Sequence, residues 1–213
     1  MKYTHLLVSE AKTLAKPDIT YRVAETESER QAYFAIREAA YAAIPGQQDG
    51  RQSAEDNGSL IIIACKSGEI MGGARIVLTR ERDVLPLEKA LPDYQKRLPP
   101  EVKAGQDCAE YGALALASGN KDMGLTLGLY LYSEKVARSL GLQHVFFSAE
   151  LARARLYLRA YRTAYGRHES PPTEFVEICD FMPPVDSAWH VWGMMRLSVI
   201  TFHYGASIKE AQA

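Results

Sequence analysis

The segment 110–140, EYGALALASGNKDMGLTLGLYLYSEKVARSL, constrains the fold of this chain more than any other. An apolar run over 111–118 has strand length, and a polar loop with glycines follows it. Leu125, Leu129, Tyr132, Val136 and Leu140 then recur at helical spacing, and Gly141 stops the helix. The run 144–148 returns as a strand. Strand, loop, helix and strand in this order lay a helix across one face of a sheet.

The loop KDMGLT puts a lysine, a glycine and a small residue where the chain turns into the helix. The first N–H groups of a helix have no partner inside it, and the helix dipole is positive at that end. The turn therefore suits a phosphate. An extended ligand beside the preceding strand would need backbone groups left free there. Together these two demands fit a thioester carrier such as coenzyme A or phosphopantetheine.

Elsewhere the pattern alternates between strand and helix. Residues 19–24 read as a strand. Thr26 and Glu29 fit a capping box, and 30–44 read as a helix whose apolar set is Tyr33, Ile36, Ala40 and Ala43 or Ile44. Pro45-Gly46 ends it, and a long polar loop covers 47–59. Strands at 60–65 and 70–78 form a hairpin across the Lys66–Glu69 turn. A short helix is expected in LEKALPDYQKRL. A helix over 151–165 buries Leu151, Ala154, Leu158, Tyr161 and Tyr165, and strands are expected at 175–181 and 189–202. Residues 1–18 read as an N-terminal extension. No repeat or linker interrupts the rest, so 1–213 reads as a single domain.

Composition removes several function classes. Apolar residues make up 47 % of the 213, enough for a sizeable core, and the net charge of −1 gives no global attraction to nucleic acid or anionic membrane. Cys65, Cys108 and Cys179 show no paired spacing, which suits a reducing compartment. Neither CxxC nor HExxH occurs, so no metal is expected. The start MKYTHLLVSEAKTLAKPD is too short and too charged for a signal peptide or a membrane span. A cytoplasmic location is the expectation.

The loop segment resembles the GNAT superfamily of acyltransferases, whose pattern is a strand ending in Leu-Ala-Val and, five residues on, (Arg/Gln)-x-x-Gly-x-(Gly/Ala). Leu114-Ala115-Leu116 holds the strand end, Lys121 the basic position, and Gly124 and Thr126 follow in register. The resemblance implies an α/β (α+β) fold: a mixed, twisted sheet with helices on both faces. It implies a donor, acyl-CoA or the phosphopantetheine of acyl carrier protein, held by Leu116, Ser118, Lys121, Gly124, Leu125 and Thr126.

Further positions resemble acyl-homoserine-lactone synthases and N-acyl amino acid synthases. These are Ile36-Arg37 and Tyr41 on the first helix, Glu55-Asp56 in the following loop, Gly72-Gly73-Ala74-Arg75 on the second hairpin strand, and Glu110 opening the fourth strand. Where that branch has Ser-Arg after the glutamate, this chain has Gly112-Ala113. Its tryptophan after helix one is absent. The resemblance implies Arg37, Asp56 and Arg75 as substrate-binding residues, in one charge network with Glu110.

Amine acylation needs a neutral nitrogen, a polarised thioester carbonyl and a proton for the leaving thiolate. Glu110 is the candidate base, and an apolar surround would raise its pKa. The Leu116 N–H is the candidate partner of the carbonyl oxygen if the strand splays there. Tyr157 or Tyr161 would serve the thiolate. Tyr161 lies on the apolar stripe, which favours Tyr157; core packing is the alternative for both. Arg155, Arg159 and Arg162 share one helix face, which fits an acidic partner such as acyl carrier protein or a merely solvated face. The stripe is too short, and lacks the interleaved aromatics, for nucleic acid.

These readings converge on an N-acyltransferase moving an acyl group from acyl-ACP or acyl-CoA to a small amino acid-like amine. An acetyl-CoA-dependent small-molecule N-acetyltransferase is the alternative. A degenerate domain that only binds a partner is a third.

Overall fold

The computed structural model describes residues 18–44, 52–81, 85–102, 105, 107–118, 123–165 and 173–204. Residues 1–17 of the N-terminal extension and the loop residue Lys121 lie outside the described residues. Among the described residues, seven strands form one mixed sheet in the order β1-β2-β3-β4-β5-β7-β6. They are β1 Ile19–Val23, β2 Leu60–Lys66, β3 Glu69–Leu78, β4 Cys108–Leu116, β5 His144–Glu150, β6 Thr173–Phe181 and β7 Met195–Phe202. Among these described strands only β4 and β5 pair in parallel. Between them in sequence run helices α1 Glu27–Ala42, α2 Leu87–Ala90, α3 Tyr94–Arg97, α4 Met123–Ser139 and α5 Leu151–Tyr165.

The capping box acts as its sequence suggests. The Glu29 N–H donates to Thr26 Oγ1 and the Thr26 N–H donates to Glu29 Oε2, each at 3.2 Å. The helix therefore starts at Glu27, three residues before the expected 30. Its buried residues are Tyr33, Phe34 and Arg37. The expected stripe of Ile36 and Ala40 is only half-buried. The helix is turned on the sheet so that an arginine, not an isoleucine, points inward.

Both faces of the sheet are covered, so its central strands are apolar on both sides. On β2, Ile62 and Ala64 pack under α4, while Ile61 and Ile63 pack under α1. Residues of α4 and α5 fill the first core. On the opposite side α1 covers one half of the sheet, and Leu87 of α2 and Tyr94 of α3 pack with Phe146, Leu197 and Val199 on the other.

Strand β4 breaks the regular pattern. It starts at Cys108, so Glu110 is its third residue and not its first. Ala109 and Tyr111 face α4, yet further along Leu114 and Leu116 do so, and Ala115 has moved to the α1 side. One residue has been inserted: Arg75 pairs with Gly112 but Gly73 with Ala115, and Ala113 takes the left-handed conformation at φ 51°. This is a β-bulge, which bends its strand. Past it β4 and β5 separate. They pair only over Cys108–Tyr111 with His144–Phe147, while β5 runs on beside β7 to Glu150.

Two neighbours hold the bulge. The Tyr33 hydroxyl on α1 donates to the Ala113 carbonyl. Tyr33 reaches it because Gly73 has no side chain: a Cβ there would stand 2.5 Å from the Ile62 carbonyl oxygen and 2.6 Å from the Tyr33 ring. The last strand corrects the sequence reading. Residues 189–194 are not strand, because His190–Trp192 form a 3₁₀ turn and Gly193 follows at φ 67° and ψ −140°, where side chains are disfavoured. Strand β7 begins only at Met195.

A left-handed alanine costs about 1–2 kcal/mol, and a β-branched residue more. Ala113→Gly is expected to leave stability within about 1 kcal/mol of wild type, and Ala113→Val to lower it by about 1–3 kcal/mol. Urea unfolding of both variants measures this. Equal losses would mean that the bulge does not depend on residue 113.

Candidate active site

Where β4 and β5 part, a cavity of about 510 Å³ opens. Its long walls are Glu110 to Leu114 on β4 and Phe147 to Glu150 on β5. Arg37 and Tyr41 of α1, Arg75 of β3, Lys89 of α2, Arg153 and Tyr157 of α5, and Asp186, Trp189 and Trp192 before β7 are among the other lining residues. Tyr111, Phe147 and Tyr157 belong to the α4 side, whereas Trp189 and Trp192 pack on the opposite core. The cavity therefore passes through the sheet at the fork.

Below the α1 side lies a buried ionic cluster. Arg37 Nη1 donates to Asp56 Oδ1 at 2.8 Å and Nη2 to Oδ2 at 2.7 Å. Arg75 Nη1 reaches Oδ1 at 3.1 Å, and the Ser53 N–H donates to Oδ2 at 2.7 Å. Asp56 itself is fully buried. Burial alone would raise its pKa. The hydrogen bonds from Arg37 and Ser53 and the charge of Arg75 overcome that and bring it down to about 2. The Asp56 loop is fastened in turn, since Arg30 donates to the carbonyls of Asp56 and Ser59 at 3.0 and 3.1 Å. The structure thus joins Arg37, Asp56 and Arg75 directly and presents both arginines to the cavity.

Glu110 is 2 % exposed. Its Oε2 accepts the N–H of Leu87, the first residue of α2, at 2.7 Å. Its Oε1 lies 3.9 Å from where a Cβ of Gly112 would stand, an ordinary contact distance. Across the cavity stands Tyr157, whose burial pushes its hydroxyl up to about 12. It packs edge-on to Tyr111 with ring centroids 6.2 Å apart. Tyr161, the other tyrosine considered, donates to the Thr173 carbonyl at 2.5 Å and does not line the cavity.

The remaining expected residues are spread wider. The Ala117 N–H donates to the Met71 carbonyl on β3 at 2.9 Å. Successive N–H groups of a strand alternate between its edges, so that of Leu116 faces the edge from which β5 has parted. Leu116 lies beyond the residues lining the cavity, and the strands part earlier than at Leu116, after Tyr111. Ser118 is exposed in the turn after β4. Gly124 is half-buried, and its carbonyl accepts the Tyr21 hydroxyl at 3.5 Å. Leu125 and Thr126 are buried, so Leu125 offers a ligand its backbone only. Arg155, Arg159 and Arg162 are exposed on α5, away from the cavity lining.

Among the lining residues that escaped the sequence reading are Arg153, Trp189 and Trp192. Trp189 and Trp192 are the chain's only two tryptophans and stand together between Pro183-Pro184 and β7, a signal that was present. Arg153 lies off the face shared by the other three arginines, and that offset was its signal. Among the described residues no group of three or more His, Cys, Asp or Glu could hold a metal ion. No described helix is long and apolar enough to cross a membrane.

Neither a protein-family model nor a curated protein sequence matches the chain. Solved structures do, and with the sheet order and the fork they define its fold as the GNAT fold. FeeM, an N-acyl amino acid synthase from uncultured soil microbes, superposes with a TM-score of 0.63 at 14 % identity, over 87 % of this chain and 92 % of its own. The AHL synthase LasI gives 0.61 at 12 %, over 89 % and 93 %. A ribosomal-protein-alanine N-acetyltransferase from Brucella melitensis gives 0.56 at 14 %, over 86 % and 99 %.

The Asp56 carboxylate is held below its unfolded value, so its contribution is present above about pH 4 and lost as pH falls towards 2. Asp56 alone should account for a loss of about 2 kcal/mol of wild-type stability across that range. Asp56→Asn should lose about 3–5 kcal/mol at neutral pH and much of this acid dependence. Glu29 is also lowered to about 2, by its hydrogen bond with Arg22, so the difference between the two proteins isolates Asp56. Denaturant unfolding from pH 7 to pH 2 measures it, and parallel curves would contradict this role.

Proposed function

We propose that this protein is an N-acyltransferase that moves an acyl group from a coenzyme A or acyl carrier protein thioester to the amine of a small amino acid-like acceptor. The observation that carries the reading is the through-sheet cavity at the β4–β5 fork, with Glu110 on one wall and Tyr157 on another. An extended pantetheine arm can take the place that β5 vacates, pairing with the free edge of β4 as a strand would. The acceptor then approaches from the α1 side, where Arg37, Arg75 and Glu110 face it.

The chemistry follows from these positions. The amine lone pair attacks the thioester carbonyl carbon, and the C–N bond forms as the C–S bond breaks. Glu110, its Oε2 held by Leu87, takes the proton from the nitrogen directly or through a water. The Leu116 N–H faces the same open edge further along β4, where it would pair with the pantetheine arm. Tyr157, with its pKa at about 12, stays protonated and serves as a hydrogen-bond donor to the departing thiolate. Full proton transfer from it would be uphill, because a free thiol has a pKa of about 8.5. The thiol regains its proton from the acid side, ultimately from the amine.

Lys121 and the N–H groups around Gly124 to Thr126 are the proposed phosphate site at the start of α4. Arg155, Arg159 and Arg162, exposed on the helix that also supplies Tyr157, support acyl carrier protein as the protein carrier. The three free cysteines fit a cytoplasmic setting.

Thiol release from an acyl-CoA with a panel of amines tests the activity. Glu110→Gln is expected to lower kcat by about 10²–10⁴-fold with little change in donor KM. A wild type that releases no thiol with any acceptor, or a Glu110→Gln variant that keeps full kcat, would overturn the reading. Charge reversal at Arg155 and Arg159 should raise KM for an acyl-ACP donor at least about tenfold while leaving acyl-CoA kinetics near wild type. Equal effects on both donors would remove the carrier-protein site.

A further inference from the structure

Arg153 sits in the first turn of α5, half-buried, with its guanidinium 5.7 Å from the Trp192 ring centroid and its side chain on the cavity wall. The other two guanidinium groups at the cavity, Arg37 and Arg75, are committed to Asp56. Arg153 is not: among the described residues no carboxylate stands within ion-pair distance of it and no hydrogen bond engages it. Its charge is felt at Tyr41, Tyr111 and Tyr157, which places it among the aromatic residues of the cavity. A guanidinium resting on an indole face keeps its N–H fork free in the ring plane, the arrangement that receives a carboxylate in two hydrogen bonds. Leaving such a cation half-buried without a partner costs free energy that an anionic ligand would offset.

Resting on the acyl-transfer reading above, we propose that Arg153 is the residue that recognises the acceptor, by binding its carboxylate. The acceptor class is then a free α-amino acid with an apolar or aromatic side chain. A simple amine carries no anion for Arg153 and would bring a second cation next to it. An amino acid places its carboxylate on the guanidinium, and its amino group can then face Glu110. Tyr41, Trp189, Trp192 and Met195 supply an apolar wall for the side chain. Arg153 holds the substrate and takes no part in the proton transfers.

The test pairs free acids with their carboxamides: L-phenylalanine with L-phenylalaninamide, and L-leucine with L-leucinamide, using octanoyl-coenzyme A as donor. Wild type should favour at least one acid over its amide by about tenfold or more in kcat/KM. Arg153→Gln should reduce that acid-to-amide ratio by about 10–100-fold, chiefly through acceptor KM, and Arg153→Lys should restore part of it. Equal use of acid and amide by wild type would overturn the proposal. An unchanged ratio in Arg153→Gln would do the same and leave Arg153 a packing partner of Trp192. Calorimetric titration with the same four compounds decides the point without turnover. An acid that binds wild type should bind Arg153→Gln about 10–100-fold more weakly; binding of neither acid, or equal binding to both proteins, counts against Arg153. Failure of thiol release with every acceptor strikes the acyl-transfer reading instead, and the titration still judges Arg153.

Discussion

A single hydrogen bond from Tyr33 to the Ala113 carbonyl holds the feature on which the rest of this molecule turns. It fixes one residue of β4 in a left-handed conformation, and that residue inserts an extra step into the strand. The insertion reverses which side chains face which layer. It also bends β4 away from β5, so that two strands paired at one end are open at the other. A regular sheet at this place would bury both edges in hydrogen bonds and leave no cavity. The missing side chain of Gly73 is part of the same device, because Tyr33 occupies the space that a Cβ would claim.

The Asp56 cluster supports the fork from the α1 side. A carboxylate wholly out of water is tolerated because two arginines and a backbone N–H satisfy it. In exchange, Asp56 draws Arg37 of α1 and Arg75 of β3 towards the cavity mouth, and it ties the loop before β2 to both. Both arginines thereby stand at the cavity mouth while committed to Asp56. Glu110 is held separately, by the start of α2. Tethering one oxygen to a backbone N–H fixes the carboxylate in the cavity wall.

Much of this was legible in the residues. The alternation of strand and helix was, because apolar spacing at two and at three to four residues is a local property. So was the capping box at Thr26, and α5 spans 151–165 as its pattern suggested. The pairing of Arg37, Asp56 and Arg75 is implied by the resemblance of their motifs, and its geometry is seen only in the fold. Three things were not legible. The bulge at Ala113 arises from a contact between residues 80 positions apart, and alanine carries no turn signal of its own. The inward rotation of α1 follows from Asp56, outside the helix whose pattern was read. Trp189 and Trp192 looked like strand residues because aromatic side chains favour strands, and only Gly193, in a conformation suited to glycine, shows why the strand waits until Met195.

The account rests on a thioester carrier lying in the gap between β4 and β5. A crystal structure with a non-hydrolysable acyl-coenzyme A thioether, in which a methylene stands between sulfur and carbonyl, addresses this directly. The pantetheine arm should lie along the free edge of β4 between Gly112 and Leu116, with the sulfur between Glu110 and Tyr157. An arm bound elsewhere on the protein, or a fork closed by its own side chains while the compound is held outside it, would contradict the account.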